Sequence, residues 1–310
     1  MQAIRTDRAE IVKPKEAYMK TAFKEIARLI LCLSVATTGT ALAQEQVEFN
    51  WQTGPTDINL SNQAVLKLPP GYAFLAGEQA KALLRGEGNF PSDAVLGLIV
   101  SQRKSNNWFI VIGYYNTGFI KDSDTRNWDA DKLLQAVKEG TAADNQRRKS
   151  MRIPELAISG WVQKPYYDAS ANKVVWAIAT QSEDRGTSVN FNTLMLGRHG
   201  YISMNMVTGL DELNQYKSNV QTLLGQLDFV KGKRYADFNN SSDKVAAVGL
   251  AALITGTATK LDIPGKLWSM MVPLMPTLKK GIIYLVIAGI ALMKGRFKKS
   301  CSSPIDNTSA

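Results

Sequence analysis

The stretch VNFNTLMLGRHGYISMNMV, from Val189 to Val207, constrains the fold more than any other part of the chain. Two runs of strand-forming residues flank Gly197-Arg198-His199-Gly200, which reads as a tight turn. Ile202, Met204 and Met206 fall on one side of a period-two pattern. Tyr201, Ser203 and Asn205 fall on the other. Such a hairpin needs antiparallel neighbours, and the chain supplies them. Val65–Leu68 and Tyr72–Leu75 read as short strands around Pro69-Pro70-Gly71. Ala94–Gln102 and Asn107–Tyr115 are joined by the polar turn 103–106. Leu156–Val162 and Lys173–Gln181 lead into the Val189 run. Helical spacing is expected over Gly77–Leu84 and Leu133–Arg148. A last helix is expected from Thr208, with Asp211 completing a capping box. Its apolar stripe is Leu210, Leu213, Tyr216, Val220, Leu223 and Leu224, and Gly225 is its C-cap. The expected fold class is α+β: an antiparallel sheet meander covered by helices in a sandwich, plus a C-terminal membrane helix.

The ends of the chain differ from this body. From Met19 the sequence reads as a secretory signal: Lys20, Lys24 and Arg28, then apolar Leu29 to Ala36, then Ala41-Leu42-Ala43. Cleavage is expected after Ala43, leaving Gln44 as the mature N-terminus, with translation starting at Met19. Cys32 lacks the small preceding residue of a lipobox, since Leu31 stands there. After cleavage Cys301 is the one remaining cysteine, so the core rather than a disulfide must hold the fold. At the other end, Gly281 to Met293 is an uninterrupted apolar run, followed by basic Lys294, Arg296, Lys298 and Lys299. A span starting near Pro276, with the basic flank in the cytoplasm, fits these residues. A shallow membrane hairpin with Val245 to Ala258, or packed core helices, are the alternatives. The organisation expected is residues 1–43 as upstream extension and signal, 44–243 as a periplasmic domain, 244–299 as a membrane-associated helical region and 300–310 as a tail.

The formal charge of +10 sits at those ends. Residues 44–243 hold 21 Lys and Arg against 21 Asp and Glu. A nucleic-acid binder concentrates basic charge on its binding domain, so nucleic acid is not an expected partner. The membrane surface accounts for the basic ends.

The chemistry-bearing residues are sparse. Asp122, Asp124, Asp129 and Asp131 are closely spaced, but the run fails an EF-hand loop at three places: Arg126, Asn127 and Leu133. Asp129 reads instead as the N-cap of the Leu133 helix, with Asp131 in its first turn and Arg147, Arg148 and Lys149 at its end. A cation site using Asp122 and Asp124 is the alternative. His199 is the sole histidine, which excludes a His-rich metal site. No G-x-S-x-G motif is present. Asp168, Asn190, Asn192, Arg198 and His199 form the candidate polar surface: either a solvated sheet face with its turns, or the lining of a small-molecule or peptide pocket. No cofactor, metal site or catalytic set is expected.

The element order is similar to the PsbP-like sandwich. Several segments also resemble one bacterial family: YYNTGFIKDSD at 114–124, LLQAVKEGT at 133–141, GWVQKPYYD at 160–168, VVWA at 174–177, VNFNT at 189–193, LGRHG at 196–200, YADF at 235–238 and DKVAAVGLAAL at 243–253. This is the domain of unknown function 2167 family, described as predicted membrane-anchored proteins. The resemblance implies an exported, membrane-tethered protein and brings no reaction with it. The expectation is therefore an inner-membrane envelope protein with its body in the periplasm, in a binding or scaffold role, with another envelope protein as a candidate partner. The alternative is an envelope hydrolase or small-ligand-binding domain using Asp168, Arg198 and His199.

Overall fold

The computed structural model describes residues 49–256, apart from Lys104, Arg126, Asn127, Asp184 and Arg185. The expected signal, the Ala43–Gln44 junction and the apolar run Gly281–Met293 lie outside the described residues. Among the described residues, no helix is long and apolar enough to cross a membrane.

An eight-stranded antiparallel sheet forms the centre. Its strands are β1 (Trp51–Thr53), β4 (Tyr72–Ala76), β5 (Val95–Ser101), β6 (Trp108–Tyr115), β7 (Leu156–Asp168), β8 (Lys173–Ser182), β9 (Gly186–Gly197) and β10 (Gly200–Gly209). In space they run β1-β4-β5-β6-β10-β9-β8-β7. A second sheet of β2 (Thr56–Leu60), β3 (Ala64–Leu68) and β11 (Leu227–Phe229) has the order β11-β3-β2. The helices are α1 (Gly77–Gly86), α2 (Ala130–Ser150), α3 (Leu213–Leu224) and α4 (Leu250–Thr255).

Strands β5, β6, β8, β9 and β10 are buried on both faces over most of their length, whereas edge strand β7 alternates between half-buried and exposed positions. One face carries Val111, Trp176, Leu194 and Leu196 against α1 (Ala80, Leu84) and α4 (Leu250, Leu253, Ile254). On the same side Val137 of α2 meets Leu156 and Ile178. The other face carries Ile110, Ile112, Phe191, Met204 and Met206. It packs on α3, through Tyr216, Val220 and Leu223, and on Ile58, Leu60 and Leu66 of the small sheet. Each fully buried Leu or Ile contributes about 1.5–3 kcal/mol. The antiparallel α+β arrangement is the one expected, with Ile202, Met204 and Met206 on one face as the alternation requires.

One detail departs from expectation and two others add to it. Thr208 does not start a helix. It stays in β10 opposite Trp108 and Val189, and its hydroxyl donates to the Asn107 carbonyl at 3.1 Å. A 3-10 turn at Leu210–Glu212 follows, and α3 begins without a side-chain cap. The strands around Pro69-Pro70-Gly71 do not pair with each other, because the chain passes there from the small sheet to the large one. Within residues 245–256 the short helix α4 packs on the body: Leu250, Leu253 and Ile254 are each no more than 2% exposed.

The β9–β10 turn imposes the tightest local demand. Gly200 has φ +151°, and a Cβ there would lie 1.9 Å from the Tyr115 carbonyl oxygen. Beside it the Tyr115 and Tyr201 rings stack at 4.8 Å. Gly200→Ala is expected to destabilise the protein by roughly 3 kcal/mol or more. Urea unfolding checks this; an unchanged midpoint would show that the turn relaxes freely.

Candidate functional site

The turn between β9 and β10 is held by a single ion pair. Arg198 donates from Nε to Asp243 Oδ2 at 2.7 Å and from Nη2 to Oδ1 at 2.9 Å. Its Nη1 donates to the Gly232 carbonyl at 3.2 Å. The Asp243 side chain is 5% exposed, and it also accepts from the Asn239 backbone N–H and the Ser242 hydroxyl. The Arg198 guanidinium, helped by the Asn239 N–H, holds the Asp243 carboxyl well below the usual carboxylate range. Bidentate, charge-assisted contacts of this kind are the strong ones. The backbone adds to the clamp: Arg198 N–H donates to the Lys233 carbonyl at 2.9 Å, and Gly197 bridges Arg234.

His199 follows in the same turn, and its carbonyl accepts from Gly118 N–H at 3.0 Å. Burial lowers its pKa, and Lys233 and Arg198 push it the same way against Asp243. The ring is therefore neutral at pH 7. It borders a cavity of about 350 Å³ whose wall includes Gln63, Tyr114, Asn116, Lys233 and Lys244. Gln63 comes from the β2–β3 turn, Tyr114 from β6 and Asn116 from the loop after β6. Lys233 follows β11. Lys244 sits where Phe119 N–H donates to its carbonyl at 2.8 Å. Gly118 makes that approach feasible, since a Cβ there would lie 2.6 Å from the Lys244 oxygen. The lining contains two lysines and no carboxylate. Among the described residues neither lysine is in an ion pair.

The other sequence candidates lie elsewhere. Asn190 and Asn192 are not on a polar surface: they are 0% and 9% exposed. Their face is interior, under the helical layer. There Asn205 donates to Asn190 Oδ1 at 3.1 Å, Asn190 approaches Thr180 Oγ1 at 3.4 Å, and Thr180 meets Ser188 at 2.8 Å. Asn192 donates to the Asn190 carbonyl at 3.1 Å. These bonds link buried polar groups of the neighbouring strands β8, β9 and β10. Asp168 closes the β7–β8 turn, accepting from Ser170 and pairing with Lys173 at 3.1 Å. It does not line the His199 cavity. The five candidates fall into three places: Arg198 and His199 in the β9–β10 turn, Asn190 and Asn192 in the buried seam, and Asp168 in the β7–β8 turn.

Two of the four aspartates, Asp129 and Asp124, serve helix N-termini. Asp129 accepts from the N–H groups of Asp131 and Lys132 at the start of α2, as expected. Asp124 reaches across the chain: its Oδ2 accepts from Ala251 N–H at 3.0 Å and caps α4. Gly249 permits that approach, because a Cβ there would lie 2.5 Å from Asp124 Oδ2. Among the described residues, no three His, Cys, Asp or Glu side chains gather as a metal site would require. A second cleft of about 840 Å³ lies between the end of α2 and the start of β7, with Lys149, Arg152, Glu155 and Glu183 on its rim. Its charges are mixed.

Lys233, Lys244 and Asp243 escaped the sequence reading. They stand far along the chain from His199, and no local pattern couples them to it. The weak signal was the charged run 231–234 followed by Asp243-Lys244.

Because its folded pKa is lowered, Asp243 contributes stability that is full above the ordinary aspartate pKa of about 4 and is lost as pH falls below it. Asp243→Asn is expected to be less stable than the native protein at pH 7, with the gap narrowing by about pH 2. Urea midpoints at the two pH values check this. A constant gap would mean that the pair contributes nothing through ionisation.

Among curated proteins none matches the chain. The cyanobacterial PsbP (CyanoP) of Synechocystis is similar in solution structure, with 11% identity, a TM-score of 0.33, and coverage of 64% of this chain and 99% of that one. The Saccharomyces cerevisiae Ran-binding protein Mog1p is similar at 14% identity and a TM-score of 0.27, covering 62% of this chain and 100% of that one. Nothing about ligand or partner carries over at these levels. Residues 52–291 match the family described as "Protein of unknown function (DUF2167)". That match spans well over half of the sequence, and the chain belongs to the DUF2167 family.

Proposed function

We propose that this chain is an exported envelope protein whose folded body is a binding module, held at the inner membrane by its C-terminal apolar segment. The body is a PsbP-like sandwich facing the periplasm, and the cavity beside His199 is its binding site. The observation that carries this reading is the basic, carboxylate-free cavity built from five separate parts of the chain. Functional groups gathered from distant segments on a rigid scaffold are the usual mark of a ligand site. A hydrolase would need a carboxylate to orient His199. The nearest one, on Asp243, is taken up by Arg198, and Asp168 is paired with Lys173. The tether rests on the sequence: the neutral body, the apolar Gly281–Met293 and the basic flank after it.

Fractionation of cells making the native chain tests the reading. The full-length protein is expected in the inner membrane, with its body digested by protease added to spheroplasts. A chain ending after Gly256 is expected in the soluble periplasmic fraction. A full-length chain protected inside spheroplasts, or a truncated chain still bound to the membrane, would contradict it.

A further inference from the structure

The kind of basic group in the His199 cavity narrows its ligand. Lys233 and Lys244 supply the charge. The guanidinium nearest to His199 along the chain, that of Arg198, is committed to Asp243 and Gly232. The rigid fork of arginine matches carboxylates and phosphates alike, and here it is spent on Asp243. Lysine is a compact point charge with three donors and suits a tetrahedral oxyanion. Two lysine charges balance a phosphate monoester, which carries about −1.5 to −2 near neutral pH. Gln63 and Asn116 add amide donors, and a neutral imidazole adds one N–H. The volume of about 350 Å³ lies at the small end of ligand pockets, which run from roughly 300 to 1,000 Å³.

From these features we infer that the cavity binds a phosphate monoester group, with Lys233 and Lys244 holding the dianion and His199 beside it. This rests on the reading of the body as a binding module and names its ligand class. Two sources carry the same chemistry: a free phosphomonoester, and the headgroup of a phosphatidic-acid lipid.

The chain has one histidine, so isotope-labelled histidine gives one imidazole signal that reports on the cavity. The full-length protein in detergent micelles is titrated with inorganic phosphate, then with glycerol 3-phosphate, then with phosphatidic acid in the micelle. Phosphate is expected to shift the His199 signal saturably and to raise its titration midpoint, because a nearby anion favours the imidazolium. The other charged or titratable groups around the ring are Tyr114, Arg198, Lys233, Asp243 and Lys244. Lys233→Gln and Lys244→Gln should each weaken phosphate binding about tenfold, and together about a hundredfold. Lys231→Gln, at an exposed position outside the lining, should leave it unchanged. Tighter binding of phosphatidic acid than of glycerol 3-phosphate supports the proposal with a lipid source; the reverse order supports it with a soluble one. The proposal is overturned if succinate matches phosphate, if phosphate at tens of millimolar leaves the signal unmoved, or if the double variant binds like the native chain. Such a failure, with membrane localisation and periplasmic exposure intact, removes the ligand class and leaves the tethered binding module standing.

Discussion

The bidentate contact between Arg198 and Asp243 is the interaction on which the end of the sheet depends. Arg198 stands in the hairpin turn of the central sheet, and Asp243 lies in the segment leading to α4. The Asp243 side chain is nearly buried, so removing Arg198 would strand a carboxylate away from water. The clamp has a geometric result. Arg198 N–H holds the Lys233 carbonyl, and Lys244 follows Asp243 directly. The two lysines are thereby brought to the wall that His199 borders. Neither belongs to a regular element, and the pair fixes where their backbones run.

Packing reinforces the same join. Phe119 stacks on Tyr235 at 4.5 Å and on Phe238 at 3.8 Å. The Tyr235 hydroxyl donates to the Ile120 carbonyl at 2.9 Å, and burial is the main reason its pKa is pushed up to about 12. The loop after β6 is therefore sewn to the 235–251 segment by aromatic faces, a parallel bridge and the cap from Asp124 to α4. A rigid join at one end of an otherwise apolar sandwich is a suitable base for a polar cavity. Its side chains are carried on backbone that cannot easily shift.

Much of this fold was legible in the sequence, for reasons that are local. The hairpin through Gly197-Arg198-His199-Gly200 follows from period two and two glycines, and α2 follows from Asp129 and the basic residues at its end. The strands β1, β2 and β11 were not legible. Two of them have three residues, and β2 alternates too briefly to stand out from the turns around it. Thr208 was misread because a Thr three residues before an acid looks like a cap, while pairing with Trp108 and Val189 keeps it in the sheet. The site was legible only in its middle. Arg198 and His199 advertised themselves in a turn, but their partners lie 34 to 45 residues along the chain. Asn190 and Asn192 were found for the right periodicity and assigned the wrong environment. Polar alternation marks a solvated face only when nothing covers it, and here the helical layer does.

The most direct test of the account is anomalous diffraction from crystals of the protein soaked in tungstate, a tetrahedral dianion with a strong anomalous signal. The account predicts a peak in the His199 cavity within hydrogen-bonding reach of the Lys233 and Lys244 ammonium groups, with the Arg198–Asp243 pair intact beside it. Ordered tungstate elsewhere on the body with that cavity unoccupied, or bound by an Arg198 released from Asp243, would contradict it.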